Sequence, residues 1–520
     1  MKKILLLVLS GFMMLSCLKD LGNYEYHELL EPEISGIADT LVLKENRHLS
    51  LLPSLGAEEF AEDDFDFEWK VFSKEGQSLV LAETLALDMD VNLVPGTYML
   101  IFRMTEKDSQ IFWQKKFTLQ VSDITSEGWM VLCTEGPSRR TRLDMYSAVT
   151  SQVVTDVLEG NGMPELHGPL SICWMKGNLV DRNSPFYLVT EEGTTRLGKN
   201  GFEWKEEYGL EYEMGRQSDP RPMLVNEVVN GKMLCDKGKV YYSDCLVSTG
   251  LFAEISPSLK AAPVVGSNIV NQNIFIPMAI LYDLENKQFM GYAPNLRDDL
   301  MGGAEPLHEM NEMVHLLKNL SNAGDITGNA FDEFPVGLDY VWMENTQYDP
   351  NKTGTGITYA VLKDGERYYL YGIQTGDLLG GSEFSGPAFA IGKAYYADIT
   401  DCTAIEKADH FAFSSLNGFM YYSVGGSVYR ADLSDPEHVR SEKQFTLPGE
   451  QISVLKFNIF KDSDLYLRNY DLVVASNRNG QGVLRIYDGF KTEGDFSLSS
   501  PVRYDGFGEI VDVAYREMLD

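Results

Sequence analysis

From Gly128 to the C-terminus the chain is a succession of short apolar strands joined in pairs by tight polar turns. That punctuation limits the fold more than any other feature. Trp129–Thr134 pairs with Thr141–Ser147, and Phe186–Thr190 turns through Glu191-Glu192-Gly193 into Thr194–Leu197. Lys232–Cys235 turns at Asp236-Lys237-Gly238 into Val240–Ser243, and Ala279–Asp283 turns into Gln288–Tyr292. Ile357–Lys363 turns at Asp364-Gly365 into Glu366–Ile373, and Phe411–Ser415 turns at Asn417-Gly418 into Phe419–Val424. That last strand turns again at Gly425-Gly426 into Ser427–Leu433. Asp471–Ser476 turns near Asn479-Gly480 into Val483–Asp488. Asn-Gly and Asp-Gly dipeptides supply the positive φ that two-residue hairpin turns require.

Seven such units spaced by about 40 to 60 residues point to a β-propeller of about seven blades, in which each blade buries its faces against its neighbours. Gly449–Phe457 and Gly508–Arg516 look alike, and each enters a strand that follows a hairpin. The strand Glu509–Tyr515 comes last, so it is placed to complete a blade begun just after Gly128. Such a closure removes exposed edges. A large irregular sandwich is the alternative. Glu305–Leu320 breaks the β pattern: Pro306 suits a first helical turn, and Leu307, Met310, Val314 and Leu317 form one apolar face. It reads as a helical insertion between blades.

Residues 31–122 alternate at period two. Phe65, Phe67, Trp69 and Val71 share a face; so do Tyr98, Leu100, Phe102 and Met104, and then Trp113, Lys115, Phe117, Leu119 and Val121. This predicts an immunoglobulin-like β-sandwich. The acidic run Glu58–Asp66 lacks the ligand spacing of a calcium loop and reads as a solvated face.

The N-terminus reads as an export signal. Lys2 and Lys3 precede an apolar run, Ile4–Leu15, that is too short for a lasting membrane span, and Met14-Leu15-Ser16-Cys17 has the form of a lipobox. The expected organisation is a signal peptide at 1–16, a lipidated tether at 17–30, the sandwich at 31–122 and the propeller at 128–520. Lipidation at Cys17 would anchor the chain stably. The alternative is an ordinary secretion signal with a chance cysteine. No second long apolar run follows. The formal charge of −33 argues against nucleic acid or an anionic lipid surface as partner.

The remaining cysteines, Cys133, Cys173, Cys235, Cys245 and Cys402, are odd in number and irregularly spaced, so they do not form a disulfide framework. His308 and His315 lie seven apart, two helical turns away from each other, and do not make a zinc site. The other histidines are scattered. Gly381–Gly386 has the wrong spacing for a nucleophile elbow, and no phosphate loop or dinucleotide fingerprint occurs. No catalytic residue, metal ligand or cofactor is assigned. Aromatic residues near strand ends offer the remaining handle: Trp174, Trp204 and Trp342, with Tyr395 and Tyr396, could stack on sugar rings or pack in the core.

Ser16–Tyr24, Ile34–Ile37, Phe67-Glu68-Trp69 and Val91–Tyr98 together resemble the PKD-like family lipoproteins of Bacteroidota through about residue 125. The glycine-aspartate turn of true PKD domains is missing after Trp69. The resemblance implies an outer-membrane lipoprotein at the cell surface, beside nutrient importers of the SusC and SusD kind, that takes part in capture of a glycan or peptide. It carries no catalytic residues over. Non-catalytic binding is therefore the leading expectation. A propeller-type glycan hydrolase or lyase and a structural subunit of an importer complex are the alternatives.

Overall fold

The computed structural model describes residues 32–517, except 44–47, 57–60, 74–75, 92, 94–95, 122–123, 175–185, 199–201, 216–223, 229–230, 245–250, 268–277, 294–304, 322–329, 351–355, 378–388 and 461–462. Cys17, the tether, Cys245 and Gly381–Gly386 lie outside the described residues. The chain forms two compact units, Met1–Val121 and Ser122–Asp520.

In the first unit the alternating segments become the strands Phe65–Phe72, Gly96–Glu106 and Phe112–Val121. They are central in a five-stranded sheet whose edge strand, Thr40–Leu43, runs parallel to Thr118–Val121. Phe67, Trp69, Phe102 and Phe117 project from one face of this sheet. They meet Leu49 and Leu87 from the small ribbon formed by His48–Leu51 and Leu87–Asp90. Trp69 is fully buried, and its indole N–H donates to the carbonyls of Thr84 and Leu85 at 3.1 and 3.2 Å. The result is a sandwich with its apolar face inside and its charged face, including Asp66 and Glu68, outside.

The second unit is an all-β propeller. Among the described residues it contains seven sheets, six of four strands and one of three. Blade 2 is Pro169–Trp174, Phe186–Thr190 and Gly193–Leu197. Blades 3 to 7 begin at Leu224, Gly266, Asp339, His410 and Gln451 in turn. Blade 1 is built from both ends of the unit: the last strand, Glu509–Arg516, pairs antiparallel with Gly128–Glu135, which continues into Arg140–Ser147 and Gln152–Val154. The innermost strands of successive blades lie against one another at every junction but that of blades 3 and 4. The buried clusters follow the same order. One cluster fills each interface between consecutive blades, including the one between blades 7 and 1 that joins Val131 and Val513 to Val473 and Leu484. The ring is therefore closed by side-chain packing as well as by the shared blade.

Each predicted hairpin supplies the second and third strands of a blade. In blade 6, Phe411–Ser415 falls instead on the first strand, and the Gly425-Gly426 turn makes the hairpin of second and third strands. Lys237 and Gly238, and likewise Asn479 and Gly480, all have positive φ, the geometry of a type I′ turn. The helix differs from expectation. Leu307–Glu309 is the fourth strand of blade 4, and the helix runs from Met310 to Ser321. The strand Gln288–Tyr292 would otherwise present an unpaired outer edge, and Leu307–Glu309 covers it by pairing with Met290–Tyr292. The helix then buries Met310 and Met313 between blades 4 and 5.

Four innermost strands carry a bulge: the extra residue lies between Pro169 and Ser171, Tyr340 and Trp342, and Ile452 and Val454, and in Glu509–Arg516 between Ile510 and Asp512, opposite Leu132 and Cys133. One extra residue reverses the alternation of faces. Tyr340 consequently packs into the interface of blades 4 and 5, while Trp342, two residues on, packs into that of blades 5 and 6.

Candidate functional site

The second strand of a blade has both backbone edges paired. The innermost strand has one free edge, and its N–H and C=O groups need other partners. Three ionisable side chains provide some of them. Glu344 accepts from the N–H of Phe413 in blade 6 at 3.4 Å and from the indole N–H of Trp342 at 3.4 Å. The Lys456 ammonium donates to the carbonyl of Val513 in blade 1 and to Asp512 at 3.1 Å. Asp512 in turn accepts from the N–H of Ile172 in blade 2 at 3.0 Å. Each group reaches from one blade to the innermost strand of the next. Burial pushes the Glu344 carboxyl up to about 8, against the two donors that favour its charged form. Glu344, which burial keeps protonated near neutral pH, and the Lys456–Asp512 pair thus each join one blade to the next.

Among the described thiols, Cys173 is partly exposed and the other three are buried. Cys133, Cys235 and Cys402 are buried and unbridged, and burial raises Cys235 to about 12 and Cys402 to about 11. Among the described residues no three or more His, Cys, Asp or Glu side chains are grouped to hold a metal. His308 instead pairs with Glu312 at 3.1 Å, one helical turn away.

The three tryptophans do not converge. Trp342 is half-buried, edge-on to His410 and tilted against Phe411, with ring centroids 6.3 and 6.1 Å apart. Trp174 and Trp204 share the cluster between blades 1 and 2, and the Trp204 indole donates to Thr195 Oγ1 at 2.9 Å. Tyr396 stacks on Tyr369 along the outer strands of blade 5, while Tyr395 meets Tyr359 edge-on.

A concave site occurs elsewhere. A pocket of about 360 Å³ opens where blades 3 and 4 meet, lined by Tyr242, Glu254, Ser256, Tyr292, Glu305 and Leu307 among others. The two tyrosine rings stand edge to face, 5.4 Å apart at 64°. Gly231 makes room for this arrangement, since a Cβ there would sit 2.4 Å from the Tyr242 ring. Lys239 lies 3.5 Å from Glu254 and partly offsets the acidity of the mouth. The two tyrosines belong to the buried cluster between the blades and form the floor, while the exposed Glu254 and Glu305 with Ser256 place carboxylate acceptors and a hydroxyl at the mouth. Sequence reasoning missed these residues because they end strands of two different blades, and no local motif marks them.

Residues 17–164 match the PKD-like family. The match spans the sandwich and continues through the first three chain segments of blade 1. No curated protein matches the chain significantly. Among solved structures, the chain is similar to a quinonprotein alcohol dehydrogenase-like protein from Bacteroides thetaiotaomicron. That match has 11% identity and a TM-score of 0.41, and covers 94% of this chain and 99% of the other. It is also similar to a putative 6-phosphogluconolactonase from Bacteroides uniformis, at 11% identity and a TM-score of 0.40, covering 75% of this chain and 100% of that one. A third is the β-propeller domain of Cps50 (Swd1) from Myceliophteria thermophila, at 10% identity and a TM-score of 0.32, covering 67% and 89%.

Proposed function

We propose that this chain is a lipid-anchored protein of the cell surface that captures a glycan or peptide on its propeller, without turnover, in support of an outer-membrane importer. The pocket between blades 3 and 4 carries this reading. It offers an aromatic floor and hydrogen-bonding groups at its mouth, whereas Glu344, Lys456 and Asp512 of the ring join blades. The lipobox-like Met14–Cys17 supports the anchor.

The test is calorimetric titration of the protein with glycan and peptide panels, alongside product analysis. Binding without product, weakened at least tenfold by the double variant Glu254→Ala/Glu305→Ala at the exposed mouth, is the expected result. Multiple-turnover cleavage of any member would replace the reading with a hydrolase. Acyl labelling in cells checks the anchor: Cys17→Ala loses the label if Cys17 is the lipidated residue, and equal labelling removes the anchor from the proposal.

A further inference from the structure

The pocket between blades 3 and 4 joins three kinds of surface, and together they choose among ligands. Its floor does not suit a sugar. Tyr242 and Tyr292 are only 9% and 7% exposed and meet edge to face, so neither shows a whole ring face on which a sugar could lie. Ile255 and Leu307 pack against the same buried cluster and extend the floor into the walls. That is a lining for one apolar side chain.

The walls are strand edges. Ala253–Glu254 is the outermost strand of blade 3, and Leu307–Glu309 is the outermost strand of blade 4. Among the described residues each is paired along one side only, to Tyr241 and Tyr242 and to Met290–Tyr292 respectively. The other side of an outermost strand presents amide donors and carbonyl acceptors at the spacing of an extended peptide.

The mouth is acidic on both sides. Glu254 comes from blade 3 and Glu305 from the segment entering the last strand of blade 4, and both are exposed. Lys239 stands 3.5 Å from Glu254, but both side chains are partly exposed, and such a pair is weak enough for a ligand cation to compete with it. His308 does not neutralise the Glu305 carboxylate. Its Nε2 donates to the backbone carbonyl of Glu305 at 2.6 Å, and its Nδ1 faces the Glu312 carboxylate at 3.1 Å. Glu309, 3.2 Å from Gln288, adds a further acid nearby. The sum is an excess of acid in a chain of formal charge −33, a field that draws basic peptides and holds acidic ones away.

We infer that the pocket takes an extended peptide, with an apolar side chain on the tyrosine floor and a lysine or arginine beside it between Glu254 and Glu305. The inference rests on the proposal that this pocket captures a ligand, and it narrows that ligand to a basic, partly apolar peptide.

The test titrates the full chain with the end-blocked tripeptides Leu-Lys-Leu, Leu-Gln-Leu and Leu-Glu-Leu and with cellohexaose. Glu254→Gln/Glu305→Gln removes the charge and keeps the acceptors. Both positions are exposed, so this double variant should keep the wild-type melting temperature. Leu-Lys-Leu should bind about tenfold or more tightly than Leu-Gln-Leu, with Leu-Glu-Leu weakest. The Gln double variant should lose that preference, and Lys239→Ala, which removes the competing cation, should strengthen it. Raising the salt from about 0.05 to 0.5 M should weaken Leu-Lys-Leu and leave Leu-Gln-Leu nearly unchanged. Equal affinity for the three peptides, or a lysine preference that survives in the Gln double variant, overturns the inference. Binding of cellohexaose but of no peptide, lost in Glu254→Ala/Glu305→Ala, also overturns it and leaves the pocket reading standing. If neither these ligands nor any member of the wider glycan and peptide panels binds, both fall.

Discussion

The second and the first strands of each blade solve different problems. Second strands such as Phe186–Thr190, Ala279–Asp283 and Ile357–Asp364 are buried along nearly their whole length, with both edges paired and mostly apolar side chains on both faces. First strands mix buried apolar residues with Glu344, Lys456 and Asp512, and four of them are bulged. The difference comes from the unpaired edge. A strand hydrogen-bonded on both sides can afford continuous hydrophobicity, whereas a strand on the ring's inner rim needs side chains to satisfy its neighbour's backbone.

Substitutions in the two sets should therefore lose stability by different mechanisms. Leu362→Ala, at a fully buried position of a second strand, leaves a cavity between blades 4 and 5 and should cost about 2 to 5 kcal/mol in denaturant unfolding at any pH. A cost below about 1 kcal/mol would show that the blade interface relaxes, and would weaken the contrast. Lys456→Met keeps the length of the chain but removes the donor to Val513 and the partner of Asp512. The expected cost is about 1 to 3 kcal/mol, reduced when Asp512→Asn is added, because the carboxylate is then no longer left unpaired. Strict additivity of the two substitutions would mean that the pair does not act as a unit.

Glu344→Gln should have the smallest effect and the most informative pH dependence. The folded-state pKa of about 8 lies above the ordinary carboxyl value of 4.5, so the folded protein holds a proton that the unfolded chain releases between those two values. Wild-type stability should fall as pH rises through that window. The amide cannot ionise and still accepts from Phe413, so the variant should gain on wild type with rising pH. The gain should reach about 1 kcal/mol at pH 9, discounted because solvent still reaches part of the side chain. A difference that does not vary with pH would place the carboxyl in a wetter setting than the ring provides.

This contrast also explains what could be read beforehand. Hairpins such as Gly231–Asp236 with Lys239–Asp244 depend on two-residue turns and near-continuous apolar runs, which are local. The sandwich strand Phe65–Phe72 keeps strict alternation, so its inner face was legible residue by residue. At Trp342 the bulge reverses parity, and its surroundings depend on Phe411 and His410, about seventy residues away. The pocket tyrosines come from separate blades, and nothing in their local sequence separates them from core residues. The helix boundary was misplaced because Leu307 and Met310 have helical spacing, although Leu307 serves a sheet edge.

Blade 1 has a consequence in time. Tyr515 donates to Glu127 at 2.7 Å across 388 residues of chain, and the whole strand Glu509–Arg516 must arrive before Gly128–Glu135 has its inner partner. A chain that emerges N-terminus first can complete the sandwich early, because its strands are close in sequence. The ring stays open until Glu509–Arg516 is released. Until then the inner edge of Gly128–Glu135 is an unsatisfied template for any passing strand. The interval between the two events is when that edge stands open, and it lengthens with every residue inserted between Gly128 and Glu509.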